Sequence, residues 1–515
     1  MKKPPMEPGL NVRPASGWES FGAQLSRDLG AWSPIIASNR APYQPTATGA
    51  MRRGSGGLVT AMLAVAEASG ATWVACAQTD LERRVAERTE GSIVTRRGQR
   101  PLTVRHVYTN RKSYHQYYAV IANPFLWFIQ HYLWPLSYEP VVDERVHRAW
   151  HEGYVAINRQ LAEVVVDVGR RAERRPLVLM QDYHLYLAPR TIRDLLPAST
   201  LQQFIHIPWP APQYWTVLPK TMRDAILDGL LANDVIGFQT SRDVRNFLMS
   251  CEELMGLRVD QREGAVLHRG RVVWVRAYPV SVDVAALERL AASSGVATED
   301  ALLAAWRPEK LIVRVDRTDP AKNIIRGFLA YEKMLRDHPE VMCRVLFWAF
   351  LQPSRQDVGA YSTYLSRLRA TADRINGEFR RPGWEPIRLE LRESLKRAVA
   401  AYKAFDVLLV NPIYDGMNLV AKEGMLLNEA DGVLVLSENA GAHEQLGAHA
   451  LSINPFDVDA TADALYRGLT MPVDDRRRRR QEITRLIRAN DIVKWMSRQF
   501  EDIRELADRV KPADP

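Results

Sequence analysis

Cysteine is scarce in this sequence, with three residues among 515. Cys76, Cys251 and Cys343 lie far apart, and no CxxC or Cys/His spacing surrounds them. This spacing argues against a disulfide-stapled fold and against a zinc site built on cysteine. Because unpaired thiols are typical of a reducing compartment, we expect a cytoplasmic protein.

Long uninterrupted apolar runs are also missing. The most hydrophobic stretch, residues 57–77, carries Glu67, Ser69 and Gly70 in its middle, so it fits a helix followed by a strand better than a membrane span. The N-terminal MKKPPMEPGL has two lysines but no apolar segment after them, which argues against a signal peptide. We therefore expect no membrane partner, and we expect residues 1–33 to form a disordered tail.

Acidic residues are outnumbered by basic ones, 60 against 69, which gives a net charge of +9. This excess fits a small anionic substrate and would also fit nucleic acid. The densest basic run, DDRRRRRQEITRLIR at 474–488, begins with two aspartates and is typical of a solvated helix face. It has neither the interleaved aromatics nor the module of a nucleic-acid-binding protein, so we expect no nucleic-acid partner.

What the sequence does contain is a regular alternation of strands and helices. Short, continuous apolar runs alternate with helical patterns, which predicts an α/β fold whose parallel sheets are covered on both faces. The predicted strands span 34–39, 72–77, 102–108, 177–182, 201–207 and 234–240, then 311–315, 344–350, 387–391, 406–410 and 433–437. Because the chain is too long for one core, we expect two doubly wound domains, at 34–282 and 283–488.

Polar residues cluster where the predicted strands end. They are Arg40, Asp182, His206, Arg317, Lys322 and Asp415. Ligands of open α/β sheets bind outside the carboxyl ends of the strands, so two facing sheets would form a deep binding cleft. Arg317 and Lys322 follow one strand, and the turn at Asp415 opens a helix whose N-terminus can receive phosphate. Together they predict a diphosphate site.

Each of these residues also has a structural interpretation when it is taken alone. His206 could be a satisfied core histidine and Asp182 a helix cap. Arg317 and Lys322 could form surface ion pairs. Because all six polar residues occur at strand ends, their joint occurrence favours a binding site over six separate structural roles.

Two further segments carry weaker signals. RRGSGGLV at 52–59 precedes a helix but lacks both the Walker A lysine and the full GxGxxG spacing, so a flexible flap near a phosphate or sugar fits better. DVD at 457–459 imitates a metal-binding DxD motif, yet a helix cap with an acidic first turn explains it. We expect no metal site.

These motifs as a set closely resemble the retaining glycosyltransferases of the trehalose-6-phosphate synthase family, glycosyltransferase family 20, from about Pro34 to the last helix. The marks are SNR at 38–40, GG at 56–57, YY with Trp127 nine residues after Tyr118, DYH at 182–184, HIPWP at 206–210, Arg317 with Lys322, SR at 354–355 and DGMNLVAKE at 415–423. The resemblance implies the GT-B fold, with two Rossmann-like domains facing a central cleft. It also implies a C-terminal segment, 489–515, that packs back on the N-terminal domain.

The resemblance further implies which residues bind a nucleotide-sugar donor. The implied donor set is Gly57, His206, Arg317, Lys322, Asp415, Gly416, Met417, Asn418, Leu419 and Glu423. Within it, Arg317 and Lys322 would neutralise the diphosphate and Glu423 would hold the ribose of the nucleotide. The implied catalytic set is Arg317, Lys322, Asp182, His206 and Asp415.

The resemblance also implies a hexose 6-phosphate acceptor. The implied acceptor set is Arg40, Tyr118, Trp127, Asp182 and Arg355. Its two guanidiniums can fork onto phosphate oxygens, and the phenol and the indole supply neutral donors. The implied reaction moves glucose from UDP- or GDP-glucose to glucose 6-phosphate and forms α,α-trehalose 6-phosphate, without a cofactor or a metal. The alternatives are a glycerol 3-phosphate or cyclitol phosphate acceptor, or a catalytically silent sugar-phosphate-binding regulator.

The sequence departs from the family pattern in three places. WVACAQTD at 73–80 replaces a Gly-Trp-rich segment, and Gln181 stands where a histidine usually precedes the DYH aspartate. LELRES at 389–394 is one residue shorter than in the best-known UDP-glucose enzymes and similar in length to relatives that use GDP-linked donors. The donor base therefore stays open at this point, as does a homo-oligomeric state.

Overall fold

The computed structural model describes residues 29–46, 51–53, 57–88, 92–95, 102–355, 358–392 and 394–509. The expected disordered tail lies outside this part of the chain up to residue 28. The first strand, β1, begins at Trp32, so the last two residues of the expected tail belong to a strand.

Within the described ranges, ten strands form one sheet in the N-terminal domain. The strands of this half are β1 (Trp32–Ser38), β2 (Tyr43–Pro45), β3 (Met51–Arg53), β4 (Thr72–Cys76), β5 (Ser92–Thr95), β6 (Leu102–Val107), β7 (Arg175–Gln181), β8 (Thr200–Phe204), β9 (Val235–Phe238), β10 (Arg258–Asp260), β11 (Ala265–His268) and β12 (Arg271–Ala277). The sheet order is β10-β11-β12-β9-β8-β7-β1-β4-β6-β5, and β2 pairs separately with β3. From β12 to β6 all neighbours are parallel, so their carboxyl ends share one edge.

The C-terminal domain holds a second sheet, in which all neighbouring strands are parallel. Its strands are β13 (Lys310–Arg317), β14 (Val345–Gln352), β15 (Ile387–Glu390), β16 (Val407–Val410), β17 (Val433–Ser437) and β18 (Leu451–Ile453). Their order, β15-β14-β13-β16-β17-β18, reverses beside β13. This reversal is the topological switch point at which open α/β sheets bind ligands.

Every strand predicted from the sequence is a strand of the structure. The prediction missed β2, β3, β5, β10, β11, β12 and β18. Apart from β12, these are three or four residues long, too short for a periodic pattern, and β5, β10 and β11 pair antiparallel at the edges of the large sheet.

Helices cover both sheets. They are Gly57–Ser69, Asp80–Arg88, Arg111–His115, Gln116–Leu126, Trp127–Gln130, Glu144–Arg148, Ala149–Val155, Ala156–Arg170, Tyr183–Leu185, Ala188–Leu195, Pro212–Trp215, Lys220–Leu230, Ser241–Met255, Val284–Ala291, Ser294–Ala304, Pro320–Lys322, Ile324–Asp337, Pro339–Val341, Gly359–Phe379, Leu395–Ala404, Leu419–Leu427, His443–Leu446, Gly447–His449, Val458–Thr470, Val473–Ala489 and Ile492–Arg509. None of the helices in the described ranges is long and apolar enough to cross a bilayer.

The last helix, Ile492–Arg509, crosses back to the N-terminal domain. Its apolar stripe packs there, and Trp495 meets Phe204 of β8 edge to face with ring centroids 5.1 Å apart. Gln202 donates a hydrogen bond to Gln499 at 2.7 Å, and the Trp495 indole donates to the Tyr278 carbonyl at 3.0 Å. The expected GT-B arrangement of two Rossmann-like domains with this crossing is therefore confirmed.

The arginine run near the C-terminus forms the predicted helix, Val473–Ala489, but it is not only a solvated face. Arg476 is buried, and its guanidinium donates to the Asp431 carbonyl at 2.8 Å and to Asp406 at 3.1 Å. Arg480 donates to the Asp431 carboxylate at 2.8 Å. Part of the positive charge in this run is thus neutralised within the fold.

Candidate active site

The six polar residues at strand ends meet at the cleft between the two sheets. Arg40, Asp182 and His206 follow β1, β7 and β8 of the N-terminal sheet. Arg317 is the last residue of β13, Lys322 follows that strand, and Asp415 follows β16 of the same C-terminal sheet. They come together because parallel strands end at the same edge and the two edges face each other.

Asp182 stands in a backbone conformation that L-residues rarely adopt, with φ 74° and ψ 175°. Such strain concentrates at functional sites, where the surrounding fold imposes it. The carboxylate accepts a hydrogen bond from the His206 backbone N–H at 3.2 Å, and Gln203 donates to the Asp182 carbonyl at 3.1 Å. Burial raises the pKa of Asp182 to about 6, so this carboxyl group titrates just below neutral pH.

His206 is a neutral imidazole at pH 7, because burial lowers its pKa to about 3. Its Nε2 lies 3.1 Å from Oε1 of Gln181, the residue that replaces the histidine expected from the family. The structure thus gives the departure at Gln181 a role, which is to hold the ring of His206. A neutral ring can exchange hydrogen bonds with a sugar hydroxyl but brings no positive charge.

The two predicted phosphate-binding cations differ in their surroundings. The Lys322 ammonium donates to the Asp415 carboxylate, and both side chains are almost buried. Burial alone would raise the pKa of Asp415, but the Lys322 charge keeps it below its usual value. Arg317 is 42% exposed, and its guanidinium lies 4.0 Å from the buried Asp319. Arg317 is therefore the more accessible of the two cations.

The turn after β16 places Asp415 just before the N-terminus of a helix. Its carboxylate accepts hydrogen bonds from the backbone of Gly416 and the side chain of Asn418, each at 3.0 Å. Asn418 adopts the left-handed region, with φ 65°, and the helix Leu419–Leu427 begins directly after it. Glu423 lies one turn into this helix, and burial raises its pKa.

The two domains touch at a pair of glycine positions. A Cβ on Gly416 would lie 1.9 Å from the carbonyl oxygen of His206 in the N-terminal domain. A Cβ on Gly441 would lie 1.7 Å from the carbonyl oxygen of Gly416 in its own domain and 2.9 Å from Cγ2 of Thr240 in the N-terminal domain. No side chain fits at such distances. These glycines permit the backbone of one domain to close against the other.

The four predicted acceptor residues other than Asp182 form a second group. Arg40 donates to the Tyr118 hydroxyl at 3.3 Å, and the Arg355 guanidinium lies 4.0 Å over the Trp127 ring. Burial would raise the pKa of Tyr118, but Arg355 and Arg40 lower it below its usual value. Two guanidiniums beside one phenol make a positive pocket suited to an anion.

Comparison with known proteins identifies the family. A sequence profile described as Glycosyltransferase family 20 matches residues 33–505. The chain belongs to glycosyltransferase family 20. The trehalose-6-phosphate synthase of Mycobacterium marinum is 32% identical over 484 residues, which cover 91% of this chain and 93% of that protein.

Solved structures of family 20 share the fold. One described as trehalose-6-phosphate from E. coli bound with UDP-2-fluoro glucose is 28% identical, with a TM-score of 0.80 over 92% of this chain and 99% of that chain. Another, an α,α-trehalose-phosphate synthase (UDP-forming) from Burkholderia xenovorans in complex with glucose-6-phosphate, is also 28% identical, with a TM-score of 0.78 over 92% and 100%. Like the other members of the family, this chain is a glycosyltransferase.

Sequence reasoning missed Asp319, which joins the two halves of this family 20 site. Its side chain is fully buried and accepts from the Trp127 indole at 3.4 Å across the cleft. Its other oxygen lies 3.4 Å from the Arg355 guanidinium, besides the contact with Arg317. The local signal was TDPAKN, in which Asp319 precedes proline and caps the short helix Pro320–Lys322.

Two predicted features do not belong to this group of site residues. Gly57 begins the helix Gly57–Ser69, but 54–56 of the predicted glycine flap lie outside the described residues. Asp457 of the DVD segment accepts from the Ala460 backbone N–H at 2.8 Å and caps the next helix, as predicted. Among the residues the structure describes, no group of three His, Cys, Asp or Glu is placed to hold a metal ion.

Proposed function

We propose that this chain transfers glucose from a nucleotide-glucose donor to glucose 6-phosphate and forms α,α-trehalose 6-phosphate. The observation that carries this proposal is the predicted acceptor pocket, in which two guanidiniums meet a phenol and an indole in the cleft. Its residues are Arg40, Tyr118, Trp127 and Arg355. The names of the relatives, trehalose-6-phosphate synthases, support the same reaction.

The donor diphosphate would bind at the carboxyl end of β13, against Arg317, Lys322 and the N-terminus of the helix Leu419–Leu427. Lys322 would exchange its contact with Asp415 for a phosphate oxygen. Positive charge fixed there stabilises the leaving group as its negative charge develops. The UDP-2-fluoro glucose bound by the E. coli relative supports UDP-glucose as the donor.

Transfer with retention needs no pair of catalytic carboxylates of the glycosidase type. The bond from the anomeric carbon to the phosphate oxygen breaks, and the acceptor hydroxyl bonds to that carbon on the same face. The departing phosphate takes the hydroxyl proton. Asp182 would orient the reacting sugars by accepting their hydroxyl hydrogen bonds, and the neutral His206 would contact the transferred glucose. The enzyme would act in the cytoplasm, without a metal and without a nucleic-acid partner.

The decisive experiment is a matrix of UDP-, GDP- and ADP-glucose against glucose 6-phosphate, glucose, glycerol 3-phosphate and cyclitol phosphates, scored by product mass. We expect trehalose 6-phosphate from a nucleotide-glucose and glucose 6-phosphate, and almost no product from free glucose. Preference for glycerol 3-phosphate, or equal use of glucose without its phosphate, would overturn the proposal.

A further inference from the structure

His131 has no role in the reaction as proposed, yet it lies in the wall of the acceptor pocket. Its ring stacks on that of Trp127, with centroids 4.0 Å apart and planes inclined by 23°. The side chain is fully buried. In the sequence it belongs to an aromatic-rich stretch, FLWFIQHYLW, that is typical of a core helix.

The hydrogen-bond partner of His131 determines the tautomer of its ring. Nδ1 lies 2.8 Å from the Trp127 carbonyl oxygen, which can only accept, so Nδ1 carries the proton. Burial lowers the pKa of His131 to about 4, so the ring is neutral at pH 7. Nε2 therefore holds a lone pair, and it is buried without a hydrogen-bond partner in the described part of the chain.

The charged groups that act most strongly on His131, within the described part of the chain, come from the opposite domain. They are the carboxylates of Asp319 and Asp415 and the ammonium of Lys322. An ionised carboxylate has no hydrogen to donate, and Lys322 donates to Asp415. Because the ring belongs to the N-terminal domain and these groups to the C-terminal domain, a separation of the domains would move them away from His131 and give a ligand access to it.

We propose that Nε2 of His131 accepts a hydrogen bond from a sugar hydroxyl bound in the cleft, and so helps to position that sugar. The inference rests on the proposed function. A buried acceptor without a partner is costly, and a sugar hydroxyl is a neutral donor that would satisfy it. The hydroxyl can belong to the transferred glucose or to the acceptor hexose, since His131 stacks on Trp127 and is also close enough to Asp415 to feel its charge.

The test is a cycle that combines variants of His131 with deoxy substrates. His131→Phe keeps an aromatic ring on Trp127 but removes the acceptor, and His131→Gln can place an amide oxygen near the position of Nε2. Each protein is assayed with the series of monodeoxy glucose 6-phosphates and with the series of monodeoxy nucleotide-glucoses. The affected series distinguishes the acceptor sugar from the donor sugar.

We expect His131→Phe to lower kcat/KM by about 5- to 10-fold, the range of one neutral hydrogen bond. One deoxy sugar should lower kcat/KM of the wild-type enzyme by a similar factor, but it should not lower kcat/KM of His131→Phe any further. His131→Gln should recover part of the activity that His131→Phe loses. If every deoxy sugar of both series lowers kcat/KM by the same factor in His131→Phe as in the wild type, the two effects are independent and His131 contacts no sugar hydroxyl. His268→Phe is the matched control, because His268 is a nearly buried histidine that bonds Asp228 at 2.8 Å far from the cleft.

A second readout does not depend on turnover. Nitrogen NMR of the Nε2 atom of His131 should show an unprotonated nitrogen in the free enzyme, whose resonance shifts when the sugar substrates bind. An unchanged resonance in the saturated complex would overturn the inference. The same preparation of wild-type enzyme is also assayed for trehalose 6-phosphate. If it forms this product while the resonance stays unchanged, the inference about His131 fails and the proposed function stands.

Discussion

Glu444 of the C-terminal domain accepts a hydrogen bond from the backbone N–H of Ser241 in the N-terminal domain, at 3.2 Å. The same carboxylate accepts from the Ser241 hydroxyl at 3.0 Å and from the Arg242 backbone N–H at 3.3 Å. A carboxylate of one domain thus caps the helix Ser241–Met255 of the other, where the helix dipole favours negative charge. The contact therefore links the two domains at the N-terminus of this helix.

Removal of this interdomain cap should favour the open form. Glu444→Gln keeps the size of the side chain but loses the charge at the helix N-terminus, which is worth roughly 0.3–1 kcal/mol at an exposed site. We expect a larger radius of gyration by X-ray scattering and a higher KM for both substrates. Glu438→Gln is the matched control, since Glu438 bonds Asn454 at 2.9 Å within one domain. Equal scattering profiles for the two variants would contradict a closing role.

The two cations of the predicted diphosphate site should differ in their effect on stability. Each of Arg317→Ala and Lys322→Ala should lower the rate of transfer by about 10²–10³, the cost of losing one group that stabilises transition-state charge. Arg317→Ala should stay as stable as the wild type, because this side chain is 42% exposed. Lys322→Ala leaves Asp415 buried without its partner, which typically costs about 3–5 kcal/mol.

A double variant separates the two effects of Lys322. Lys322→Ala with Asp415→Asn removes both charges and should recover much of the stability, measured by thermal unfolding, while transfer stays lost. Near-wild-type turnover in either single alanine variant would contradict the diphosphate assignment.

Arg355→Ala should act on the acceptor alone. The guanidinium lies over Trp127 and donates to the Tyr361 hydroxyl at 2.5 Å and the Tyr183 hydroxyl at 3.3 Å. Loss of a charged hydrogen-bond donor costs about 1.5–3 kcal/mol, so KM for glucose 6-phosphate should rise by roughly 10- to 100-fold while that for the donor stays constant.

The control for Arg355→Ala is a second arginine that stacks on an aromatic ring. Arg276 lies 4.5 Å over Trp274, outside the cleft, and Arg276→Ala should leave both KM values unchanged. A rise in the donor KM of Arg355→Ala, equal to the rise for glucose 6-phosphate, would show that Arg355 supports the cleft as a whole.

Asp182 should set an acidic limb in the pH profile. Its pKa is raised to about 6, so the carboxylate gains a proton and loses acceptor capacity as pH falls through that value. We expect kcat/KM to fall about tenfold per pH unit below about pH 6. In Asp182→Asn, activity should be low and the part of this limb that Asp182 contributes should disappear. The substrate phosphate titrates near pH 6 as well, but its effect stays in both proteins.

Lys422 should make stability depend on pH. The ammonium donates to the Val280 carbonyl at 2.7 Å, and burial lowers its pKa from 10.5 to about 7. Between these values the unfolded chain binds the proton more strongly, so stability should fall as pH decreases from 10.5 to about 7 and should level off below pH 7, where both states bind the proton. Lys422→Met should remove this slope from the melting temperature between pH 7 and 9. The same slope in both proteins would contradict the prediction.

Much of the fold could be predicted because its signal is local. Continuous apolar strands such as β13 and β14 are recognisable in one window of sequence, and polar residues after them mark the strand ends. The short edge strands β10 and β18 could not be recognised, since their residues become strands only through pairing with a neighbour. Gln181 was noticed only as a departure, and its contact with His206 needed the neighbouring strand.

The sequence by itself determined the parallel strands at the centre of both sheets and the residues that line their facing edges, because hydrophobic periodicity and strand ends are properties of adjacent residues. Only the tertiary structure decided how those residues are used. The contact of Trp127 with Asp319 and that of Lys322 with Asp415 join distant parts of the chain. Burial likewise leaves the Nε2 atom of His131 without a hydrogen-bond partner among the described residues. The charge, the tautomer and the pKa of these side chains depend on their distances from one another and on their removal from water, and both are set only when the two domains fold together.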